Sequence, residues 1–441
     1  MDLHLLQVNS SVLASSTGLY LCLSLISLSS ISSFHDSGFR VTGLDVDVNV
    51  IEKLSRGISH LSDSTIGWDI PYQSSRWKIT SDYEEAVKSS DMVVITVPTP
   101  THEDKTPDLS FVEMAMDSTI KNVKSRSGTI VVLESTVFPG VTRMLAERSA
   151  KKYDLVMGED FQLAYSPERV SPGDIGKSAS QVARIVGSID EKVGMMLAEV
   201  YGKITSGGCT YVGEIEVAEA AKMVENTQRD IDIAFVNELS KTLPSIGLDV
   251  MDVLKAARTK WNFHYHEPGI GVGGHCIPVD PYYYIELCRK SGTKSEISPV
   301  SRMINESMPI FAVEKIKHLL NGAKGKEVLV LGYSYKPGLG DSRETPVKIM
   351  IEELEKNGTR VMIWDPFVED ADFPEWCENI DNPIGTECDM VVLATAHDDC
   401  LSLDWVRILK NCRSGVVFDG RRALDRSEME RIGWKYHGIG V

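Results

Sequence analysis

The chain carries little positive charge for its size. Of its 441 residues, 46 are lysine or arginine and 63 are aspartate or glutamate, which gives a formal net charge of −17. Binding to nucleic acid without sequence preference needs a basic surface, and no block of like charge supplies one. An anionic small molecule is still compatible with this balance, because a few well-placed arginines and lysines suffice to bind a phosphate. We therefore predict no nucleic-acid partner.

Paired cysteines are also missing. The eight cysteines (22, 209, 276, 288, 377, 388, 400 and 412) form no CxxC pair and no zinc-like spacing. We therefore predict no metal site. In a chain of this length, scattered cysteines fit a reduced interior better than a disulfide framework, so a cytoplasmic location is expected.

The first 39 residues contain neither lysine nor arginine. A signal peptide begins with a positively charged stretch, and a membrane span needs about 20 apolar residues with few polar ones. The segment 19–31 is rich in leucine but is interrupted by serines. Neither type of segment fits, and the sequence predicts no membrane partner.

From Phe39 onward, short β-rich runs alternate with helical stretches. Residues 39–45 are typical of a strand that ends in an acidic residue, and 91–97 and 128–133 are typical of buried strands. Helix-like stretches lie between them at 83–89 and 111–123. Valine and isoleucine runs separated by helices predict a parallel sheet covered on both faces, with ligands at the carboxyl ends of the strands.

This pattern is interrupted and then repeats. Residues 214–243 form one long predicted helix without glycine or internal proline. One side of it carries an apolar stripe, made by Val217, Ala221, Val224 and Ile231. Four further strands are predicted after it, at 326–332, 359–364, 389–393 and 415–418.

The predicted fold is α/β, with two Rossmann-like, doubly wound parallel-sheet domains joined by a helical middle domain. The predicted boundaries are 1–210, 211–305 and 306–441. An apolar-striped helix of this length can bridge two domains or pair with a second subunit. It therefore predicts a homodimer or a higher homo-oligomer, with packing inside one chain as the alternative.

One segment, Gly269–Tyr282, places four glycines just before a thiol. Cys276 follows them, and Asp280 comes four residues later. Glycines allow a backbone to pass close to a bulky ligand. His275 and the local backbone amides can favour the thiolate, which is the form that attacks a carbonyl carbon. The alternative interpretation is an inert, buried thiol.

Loops after the predicted strands combine small hydroxyl residues with turn formers. Examples are Pro98–Thr101 and Glu134–Gly140. Such loops can approach a cofactor through hydrogen bonds without adding bulk. In the later loop Ser166–Asp174, Glu168 can position a water molecule; taken alone, an ordinary surface glutamate is the simpler interpretation.

Two further segments carry side chains that suit anions. Lys222, Asn226 and Arg229 lie on one face of the long helix, at spacings of four and three. The first two can donate to an oxyanion and the third can reach a phosphate, although a solvated polar stripe would have the same spacing. The glycine-containing loop Tyr333–Arg343, with Lys336 inside it, suits a pyrophosphate.

Together these motifs resemble the nucleotide-sugar 6-dehydrogenases of the UDP-glucose/GDP-mannose dehydrogenase superfamily. The resemblance runs from about Gly38 to Arg422. It is closest to the UDP-N-acetylhexosamine 6-dehydrogenases of the UDP-N-acetylmannosamine type, a branch favoured by His275 and the IPVDP ending. Six motifs occur in the family's order: VPTPT, ESTVFPG, SPERVSPGD, the K-x3-N helix, GVGGHCIPVDP and YKPGLGDSRETP.

The resemblance implies oxidation of a sugar C6 alcohol to a carboxylate, with NAD as the cofactor. It implies that Cys276 adds to the C6 aldehyde to give a thiohemiacetal, and that oxidation of this adduct gives a thioester, which water hydrolyses. The other implied catalytic roles are oxyanion stabilisation by Lys222 and Asn226, proton handling or water positioning by Glu168 and Thr136, and support of the thiol by Asp280.

The resemblance also implies binding residues. The implied contacts to the nucleotide-sugar substrate are Arg169, Val170, Arg229, Gly273, Tyr335, Lys336 and Arg343. For NAD, Asp45 would hold the adenosine ribose, as an acidic residue at the end of the second strand does in Rossmann folds. Thr99 and Thr136 would face the nicotinamide half, and Arg421 occupies the position of a basic cofactor contact.

The chain departs from the family at two places. The glycine-rich turn that receives the cofactor pyrophosphate falls on Cys22, Ser24 and Ser27, none of which is glycine. A Cβ atom there is expected to clash or to strain the turn. Either the first 34 or so residues are not in the native reading frame, which we favour, or NAD affinity is reduced. Relatives also place an arginine near Asn262, so His266 is predicted to share that substrate contact.

The predicted function is NAD-dependent oxidation of a UDP-N-acetylhexosamine to its uronic acid, a building block for a surface polysaccharide. UDP-N-acetylmannosamine is the first choice, with the N-acetylglucosamine and N-acetylgalactosamine sugars as further options. The alternatives are a UDP-glucose or GDP-mannose 6-dehydrogenase, or a catalytically impaired nucleotide-sugar-binding homologue.

Overall fold

The computed structural model describes residues 17–21, 25–59, 70–170 and 180–441. They divide into two compact units. The first holds the described residues up to Glu225 together with Tyr282–Ser291, and the second holds Asn226–Pro281 and Gly292–Val441. This division is coarser than the predicted three domains, whose boundaries stay a prediction.

The first unit is built on an eight-stranded sheet with the order β3-β2-β1-β4-β5-β6-β7-β8. Its strands are β1 (Thr17–Leu21), β2 (Arg40–Leu44), β3 (Trp77–Thr80), β4 (Met92–Ile95), β5 (Thr129–Leu133), β6 (Phe161–Tyr165), β7 (Arg184–Ser188) and β8 (Cys209–Tyr211). Its helices are α1 (Leu25–Asp36), α2 (Val48–Ser55), α3 (Tyr83–Lys88), α4 (Ser110–Asn122), α5 (Val141–Lys152) and α6 (Glu191–Ile204). Only β6 and β7 pair in antiparallel orientation within this described sheet.

The central strands are buried on both faces, as their composition predicts. Val93 and Val94 of β4 point to opposite faces because side chains alternate along a strand, and both are fully buried. The same holds for Val131 and Val132 of β5. The predicted strands at 39–45, 91–97 and 128–133 are therefore confirmed, and parallel pairing explains why they are continuously apolar.

The first described strand of this sheet, β1, begins at Thr17. The serine-containing stretch 9–16 before it lies outside the described residues. The central position between β2 and β4 is occupied by β1. Since β1 ends at Leu21 and α1 begins at Leu25, the first two positions of the predicted cofactor turn fall between them, and the third, Ser27, lies in the first turn of α1. The positions Cys22 and Ser24 lie outside the described residues.

Helix α1 contributes to the core of the first unit. Leu28, Ile31 and Phe34 are buried there, and the Phe34 ring packs edge-on against that of Phe39 at a centroid distance of 5.4 Å. Burial of a regular apolar face is what a native helix is expected to show. The hypothesis that the first 34 or so residues are not in the native reading frame stays a prediction.

The second unit holds a six-stranded, all-parallel sheet with the order β11-β10-β9-β12-β13-β14. Its strands are β9 (Glu327–Leu331), β10 (Arg360–Trp364), β11 (Glu378–Asn379), β12 (Cys388–Leu393), β13 (Cys412–Asp419) and β14 (Lys435–Gly438). Its helices are α8 (Val250–Arg258), α10 (Ile297–Leu319), α11 (Pro346–Lys356), α12 (Asp398–Leu401), α13 (Trp405–Asn411) and α14 (Arg426–Ile432). The four strands predicted here are confirmed.

Two separate apolar clusters cover the faces of this second sheet. Val328 and Val330 of β9 belong to one cluster, whereas Leu329 and Leu331 belong to the other. The first six strands of the first sheet and all six of the second have the order 3-2-1-4-5-6. In this order, the strand order reverses beside the first strand. Ligands bind at the carboxyl ends of the strands at this reversal. The doubly wound α/β prediction is confirmed.

The chain passes from one unit to the other within two helices, α7 (Ile215–Thr242) and α9 (Asp280–Lys290). Helix α7 confirms the long helix predicted at 214–243. On its apolar stripe, Val217 and Val224 are about half exposed. Within the part of the chain that the structure describes, no helix is long and apolar enough to cross a membrane.

Candidate functional site

The predicted cofactor positions of the first unit lie where three parallel strands end. Asp45 directly follows β2, and its carboxylate accepts the N–H of Asp47 at 2.9 Å. Thr99 lies in the loop after β4, where its carbonyl accepts the hydroxyl of Tyr283 at 3.1 Å. Thr136 lies in the loop after β5. An acidic residue at the end of β2 and small hydroxyl residues after β4 and β5 fit the ribose and nicotinamide halves of NAD.

Glu168 follows β6 and is buried, with 9% exposure. Its Oε1 accepts the backbone N–H of Arg169 at 2.7 Å and that of Val170 at 2.9 Å. Its Oε2 accepts the Ser30 hydroxyl at 2.8 Å and a hydrogen bond from Arg184. The interpretation as a surface glutamate is therefore wrong for this position, because a buried carboxylate with four donors is held in one orientation.

A second buried carboxyl, Glu134, lies beside it and was not predicted as a site residue. Its Oε1 accepts the Tyr201 hydroxyl at 2.8 Å and Arg184 at 3.3 Å. Burial raises the pKa of Glu134 to about 7, although Arg184 opposes the shift. The signal that could have found Glu134 is its place directly after a buried strand. No comparable feature of the sequence marked Arg184, because it is the first residue of strand β7, which was not predicted.

The end of the loop after β5 is held by helix α7. Glu219 accepts the backbone N–H of Gly140 at 2.6 Å and that of Thr142 at 3.0 Å. Burial raises the pKa of Glu219 to about 6. These bonds occupy the first N–H groups of α5. Lys222 lies one turn further along α7 and is buried, which does not fit the alternative of a solvated polar stripe.

Arg169 forms an ion pair within the first unit. Its Nε donates to Glu225 at 3.0 Å, and its Nη1 donates to the carbonyl of Ala183 at 3.0 Å. The neighbouring Val170 is half-buried. The structure thus brings Arg169, Val170 and Glu168 together. Their predicted substrate contacts stay a prediction.

In the second unit, the glycines before Cys276 pack against protein. A Cβ atom on Gly273 would lie 2.6 Å from Cβ of Tyr335 and 2.8 Å from the carbonyl oxygen of Glu344. Gly274 has a φ of 87°, and a Cβ there would lie 2.7 Å from the Tyr335 ring. Glycine at these two positions lets two loops of one unit touch. The approach of a bulky ligand to this segment stays a prediction.

Cys276 lies one turn before helix α9. Its carbonyl oxygen accepts the N–H of Asp280 at 2.8 Å, so the turn that carries the thiol leads directly into the helix. The Asp280 side chain, which is 2% exposed, accepts a hydrogen bond from the side-chain amide of Asn226. The structure therefore links three of the predicted catalytic residues within the second unit, and Cys276 itself is half-buried.

The loop after β9 contacts the segment Gly269–Tyr282, which carries Cys276. The N–H of Gly274 donates to the carbonyl of Arg343 at 3.2 Å, and the Arg343 guanidinium lies 3.4 Å from Nδ1 of His275. Arg343 pairs with Asp341 through bonds of 2.6 to 3.1 Å, and this pair raises the pKa of Arg343. Lys336 is half-buried in the same loop, so the two predicted anion-binding side chains lie on a loop that contacts the cysteine segment.

A buried histidine–aspartate pair, His397 and Asp365, holds this loop in place. Oδ2 of Asp365 accepts the N–H of Tyr333 at 2.6 Å and that of Ser334 at 2.9 Å, and lies 3.0 Å from Nε2 of His397. The other ring nitrogen of His397 accepts the N–H of Gly338 at 3.0 Å. Both ends of the loop 333–338 are therefore tied to one histidine–aspartate pair. Sequence reasoning missed both residues, because they follow different strands.

Replacing Asp365 by asparagine is expected to loosen the loop 333–338 at neutral pH. Burial alone would raise the pKa of Asp365, but hydrogen bonds from His397 and two backbone amides outweigh it and lower the pKa to about 2. Because this pKa is lower in the folded state than the unfolded value of about 3.9, the Asp365 carboxylate stabilises the fold above about pH 3.9. This stabilisation is lost as the pH falls towards 2. Hydrogen exchange of the loop should show a local opening free energy lower by about 1–3 kcal/mol.

The pH dependence provides the control for this variant. The difference between wild type and Asp365→Asn should shrink between about pH 4 and about pH 2, because the wild-type carboxylate then becomes protonated. A difference that stays constant over this range would contradict the assigned role of the charge.

Arg229 and His266 lie near each other on a different part of the second unit. Burial lowers the pKa of His266, and the charge of Arg229 lowers it further. Nε2 of His266 lies 3.9 Å from Oδ2 of Asp232. Arg229 is exposed, and Trp261, in the segment where relatives carry an arginine, is 92% exposed.

Arg421 lies after β13 in the second unit. Its Nε donates to the carbonyl of Ala394 at 2.7 Å, and burial lowers the pKa of Arg421 to about 10. Within the described residues its Nη2 is buried and has no hydrogen-bond partner. A buried donor without a partner is unfavourable. The predicted contact of Arg421 with the cofactor stays a prediction.

Comparisons with known proteins agree with this architecture. Family models for the NAD binding domain, the central domain and the UDP binding domain of the UDP-glucose/GDP-mannose dehydrogenase family match residues 23–205, 216–307 and 329–426. The UDP-N-acetyl-D-mannosamine dehydrogenase of Pyrococcus horikoshii is 33% identical over 92% of this chain and 95% of its own length. The UDP-N-acetyl-D-glucosamine 6-dehydrogenase of Pseudomonas aeruginosa is 34% identical over 88% of this chain and 92% of its own.

A solved structure shows the same fold over most of both chains. The UDP-glucose dehydrogenase of Pyrobaculum islandicum has a TM-score of 0.87 and 28% identity, and the match covers 97% of this chain and 98% of that one. The three family models follow one another along the sequence, and relatives above 30% identity span most of it. The chain therefore belongs to the UDP-glucose/GDP-mannose dehydrogenase family and is an NAD-dependent UDP-sugar dehydrogenase.

Proposed function

We propose that this enzyme oxidises the C6 hydroxyl of a UDP-N-acetylhexosamine to the uronic acid through a covalent adduct on Cys276. The observation that carries the proposal lies within the second unit. There a half-buried thiol is followed by Asp280, which holds the Asn226 amide, and the loop with Arg343 contacts the same segment. A nucleophile, an oriented amide and an anion-binding loop are what covalent oxidation of a nucleotide sugar requires.

The hydrogen bond between Asn226 and Asp280 defines what the amide can do. A carboxylate only accepts, so the Asn226 nitrogen must face Asp280, and one of its two N–H bonds is used there. The second N–H can donate to an oxyanion. When the Cys276 sulfur adds to the C6 aldehyde, the carbonyl oxygen becomes that oxyanion, and Asn226 with Lys222 would stabilise it. Asp280 acts here by orienting Asn226.

Bound NAD supplies the hydride acceptor for each of the two oxidations. In the proposal, Asp45, Thr99, Thr136 and Arg421 hold it. Glu168 then accepts a proton from the water that hydrolyses the thioester, which releases the Cys276 thiol and the carboxylate product. The nucleotide sugar would be held by Arg169, Val170, Arg229, His266, Gly273, Tyr335, Lys336 and Arg343.

Several wider features belong to the same proposal. UDP-N-acetylmannosamine is the first choice of substrate, because the similar P. horikoshii protein bears that name. The half-exposed apolar positions Val217 and Val224 support a homodimer or a higher homo-oligomer. The three family models support three domains at 1–210, 211–305 and 306–441. A cytoplasmic location and a role in polysaccharide synthesis complete it.

A panel of nucleotide sugars tests the proposal. With the preferred sugar, each molecule should yield two molecules of NADH, because converting an alcohol to a carboxylate removes four electrons. Turnover of UDP-glucose or GDP-mannose in preference to every UDP-N-acetylhexosamine would contradict the substrate assignment. A yield of one NADH per sugar would contradict the four-electron reaction.

The absence of glycine from the predicted cofactor turn favours one second candidate, an impaired homologue that binds nucleotide sugar without efficient turnover. Substitution of the glycines at Cys22, Ser24 and Ser27 is expected to weaken pyrophosphate binding. Titration of NAD⁺ into the purified chain separates the candidates. Micromolar binding would contradict a damaged site, whereas binding of UDP-sugar without binding of NAD⁺ would support it.

A further inference from the structure

The first unit contains a buried cluster of two carboxylates and one guanidinium, which we call the Glu134–Arg184–Glu168 cluster. Arg184 is 1% exposed. It donates to Glu134 at 3.3 Å and to Glu168, and its guanidinium lies 5.3 Å from the centre of the Tyr201 ring. One positive charge is thus shared between two acidic side chains out of contact with water.

The topology of the first sheet explains why these residues meet. Glu134 and Glu168 follow β5 and β6, which are parallel neighbours, so both lie at the carboxyl edge of the sheet. Strand β7 pairs with β6 in the opposite direction and therefore begins at that edge. Its first residue is Arg184. The only antiparallel pair of the described sheet thus places a guanidinium among the carboxyl groups of the predicted site.

The charges of the cluster favour one bound proton. With both carboxylates ionised, the cluster would carry a net negative charge in a buried place, which is costly. Burial and the neighbouring Glu168 charge together raise the pKa of Glu134 to about 7, and Arg184 only partly opposes them. Carboxyl groups that share a site in this way titrate as a pair.

The hydrogen bonds indicate where the proton resides. Glu168 has four donors: Ser30, Arg184 and two backbone amides. Glu134 has two donors, both on Oε1, and its Oε2 is buried without a partner within the described residues. Hydrogen bonds to the charged form favour that form. The proton is therefore expected on Glu134, which leaves Glu168 ionised.

We propose that Glu134 is a positioning residue for the reaction: it shares one proton with Glu168 across Arg184, and its ionisation sets how readily Glu168 accepts a proton. This rests on the proposed function in so far as Glu168 is the proton acceptor there. When Glu134 is neutral, Arg184 pairs mainly with Glu168 and lowers its basicity. When Glu134 releases its proton to solvent, Arg184 is divided between the two carboxylates, and Glu168 becomes more basic.

The first test needs no turnover. Infrared difference spectroscopy detects the C=O stretch of a protonated carboxyl group as pH is varied. The wild-type protein should show one such group with a midpoint near pH 7, which Glu134→Gln removes. In Glu168→Gln the midpoint should fall, because the charge that opposes ionisation of Glu134 is gone. In Tyr201→Phe it should rise, because a hydrogen bond that stabilises the Glu134 carboxylate is lost.

Glu219→Gln is the matched control. It removes another buried carboxyl group, which titrates near pH 6 and contacts Gly140 and Thr142. The band near pH 7 should persist in this variant. If Glu134→Gln leaves the band near pH 7 in place, or if Glu168→Gln leaves its midpoint unchanged, proton sharing across Arg184 is wrong.

The second test uses the pH profile of kcat. In the wild type the acid side of the profile should have a midpoint near pH 7, where Glu134 ionises. In Glu134→Gln, Arg184 pairs with Glu168 alone, so this midpoint should move down by about one pH unit or more. A purely structural role would lower kcat at every pH without moving the midpoint. If the wild type oxidises no nucleotide sugar, the proposed function fails, and the infrared test still decides on proton sharing.

Discussion

Replacement of Cys276 by alanine is expected to abolish formation of the uronic acid and to lower kcat on the order of 10³-fold or more, as loss of a nucleophile does in other covalent enzymes. Alanine removes the sulfur that forms the bond to C6 and keeps the backbone turn in which Asp280 bonds to the Cys276 carbonyl. Without the adduct, no oxyanion forms for Asn226 to stabilise. The measurement is NADH formation, together with mass spectrometry of the product.

Cys209→Ala is the matched control for this variant. Cys209 is also half-buried, on β8, and burial raises the pKa of its thiol to about 11. Such a thiol is protonated at neutral pH and is a poor nucleophile. If Cys209→Ala turns over at nearly the wild-type rate and Cys276→Ala does not, the assignment of Cys276 as the nucleophile is supported. Substantial uronic-acid formation by Cys276→Ala would show that the reaction needs no cysteine adduct.

Replacement of Arg302 by leucine is expected to destabilise the second unit by roughly 3–5 kcal/mol, because it leaves a buried charge without its partner. Arg302 on α10 is 3% exposed and donates to Oδ1 of Asp230 at 2.6 Å. Asp230 on α7 is fully buried and also accepts from the Asn305 amide at 2.8 Å. The shift of the denaturant midpoint, followed by tryptophan fluorescence, measures the loss.

The pH dependence and two further variants make this test specific. Burial raises the pKa of Asp230 and Arg302 opposes the rise, so without Arg302 the aspartate should become neutral at higher pH. The loss of stability should then be largest above this raised pKa and should shrink as pH falls below it. Adding Asp230→Asn to the Arg302→Leu variant should recover part of the lost stability. Arg360→Leu, which breaks exposed ion pairs with Glu378 and Glu327, should cost about 1 kcal/mol or less.

The sequence predicted half of the described strands, seven of fourteen, and the longest helix, α7, because each of these carries a local signal. Buried parallel strands such as β4, β5 and β12 are continuous apolar runs, and α7 has a long helical pattern without breakers. Strands β7 and β8 were missed because they are short and mixed in composition. Strand β7 pairs with β6, and β8 pairs with β7, so both depend on a sheet that is already present, and no local pattern specifies their pairing.

The sequence also identified the residues of the candidate site, since strand ends, glycines and spaced polar residues are visible in one dimension. It could not give their contacts. Position 273 needs glycine because the loop that carries Tyr335, 62 positions later in the chain, packs against it. The His397–Asp365 pair joins residues that follow β12 and β10, which lie on either side of β9. Contacts of this kind depend on strand order.

The amino-acid sequence by itself therefore determined the fold class and the family, and it identified the positions that are proposed to carry the chemistry, because all of these are visible as local periodicity and motifs. Only the tertiary structure decided the electrostatics of Glu168. A carboxyl group's affinity for protons depends on every charge within a few ångströms and on burial, whatever the distance along the chain. Here the reversal of one strand brings Arg184 between Glu134 and Glu168, and that single placement makes a loop glutamate one of two buried carboxyl groups that contact the same guanidinium.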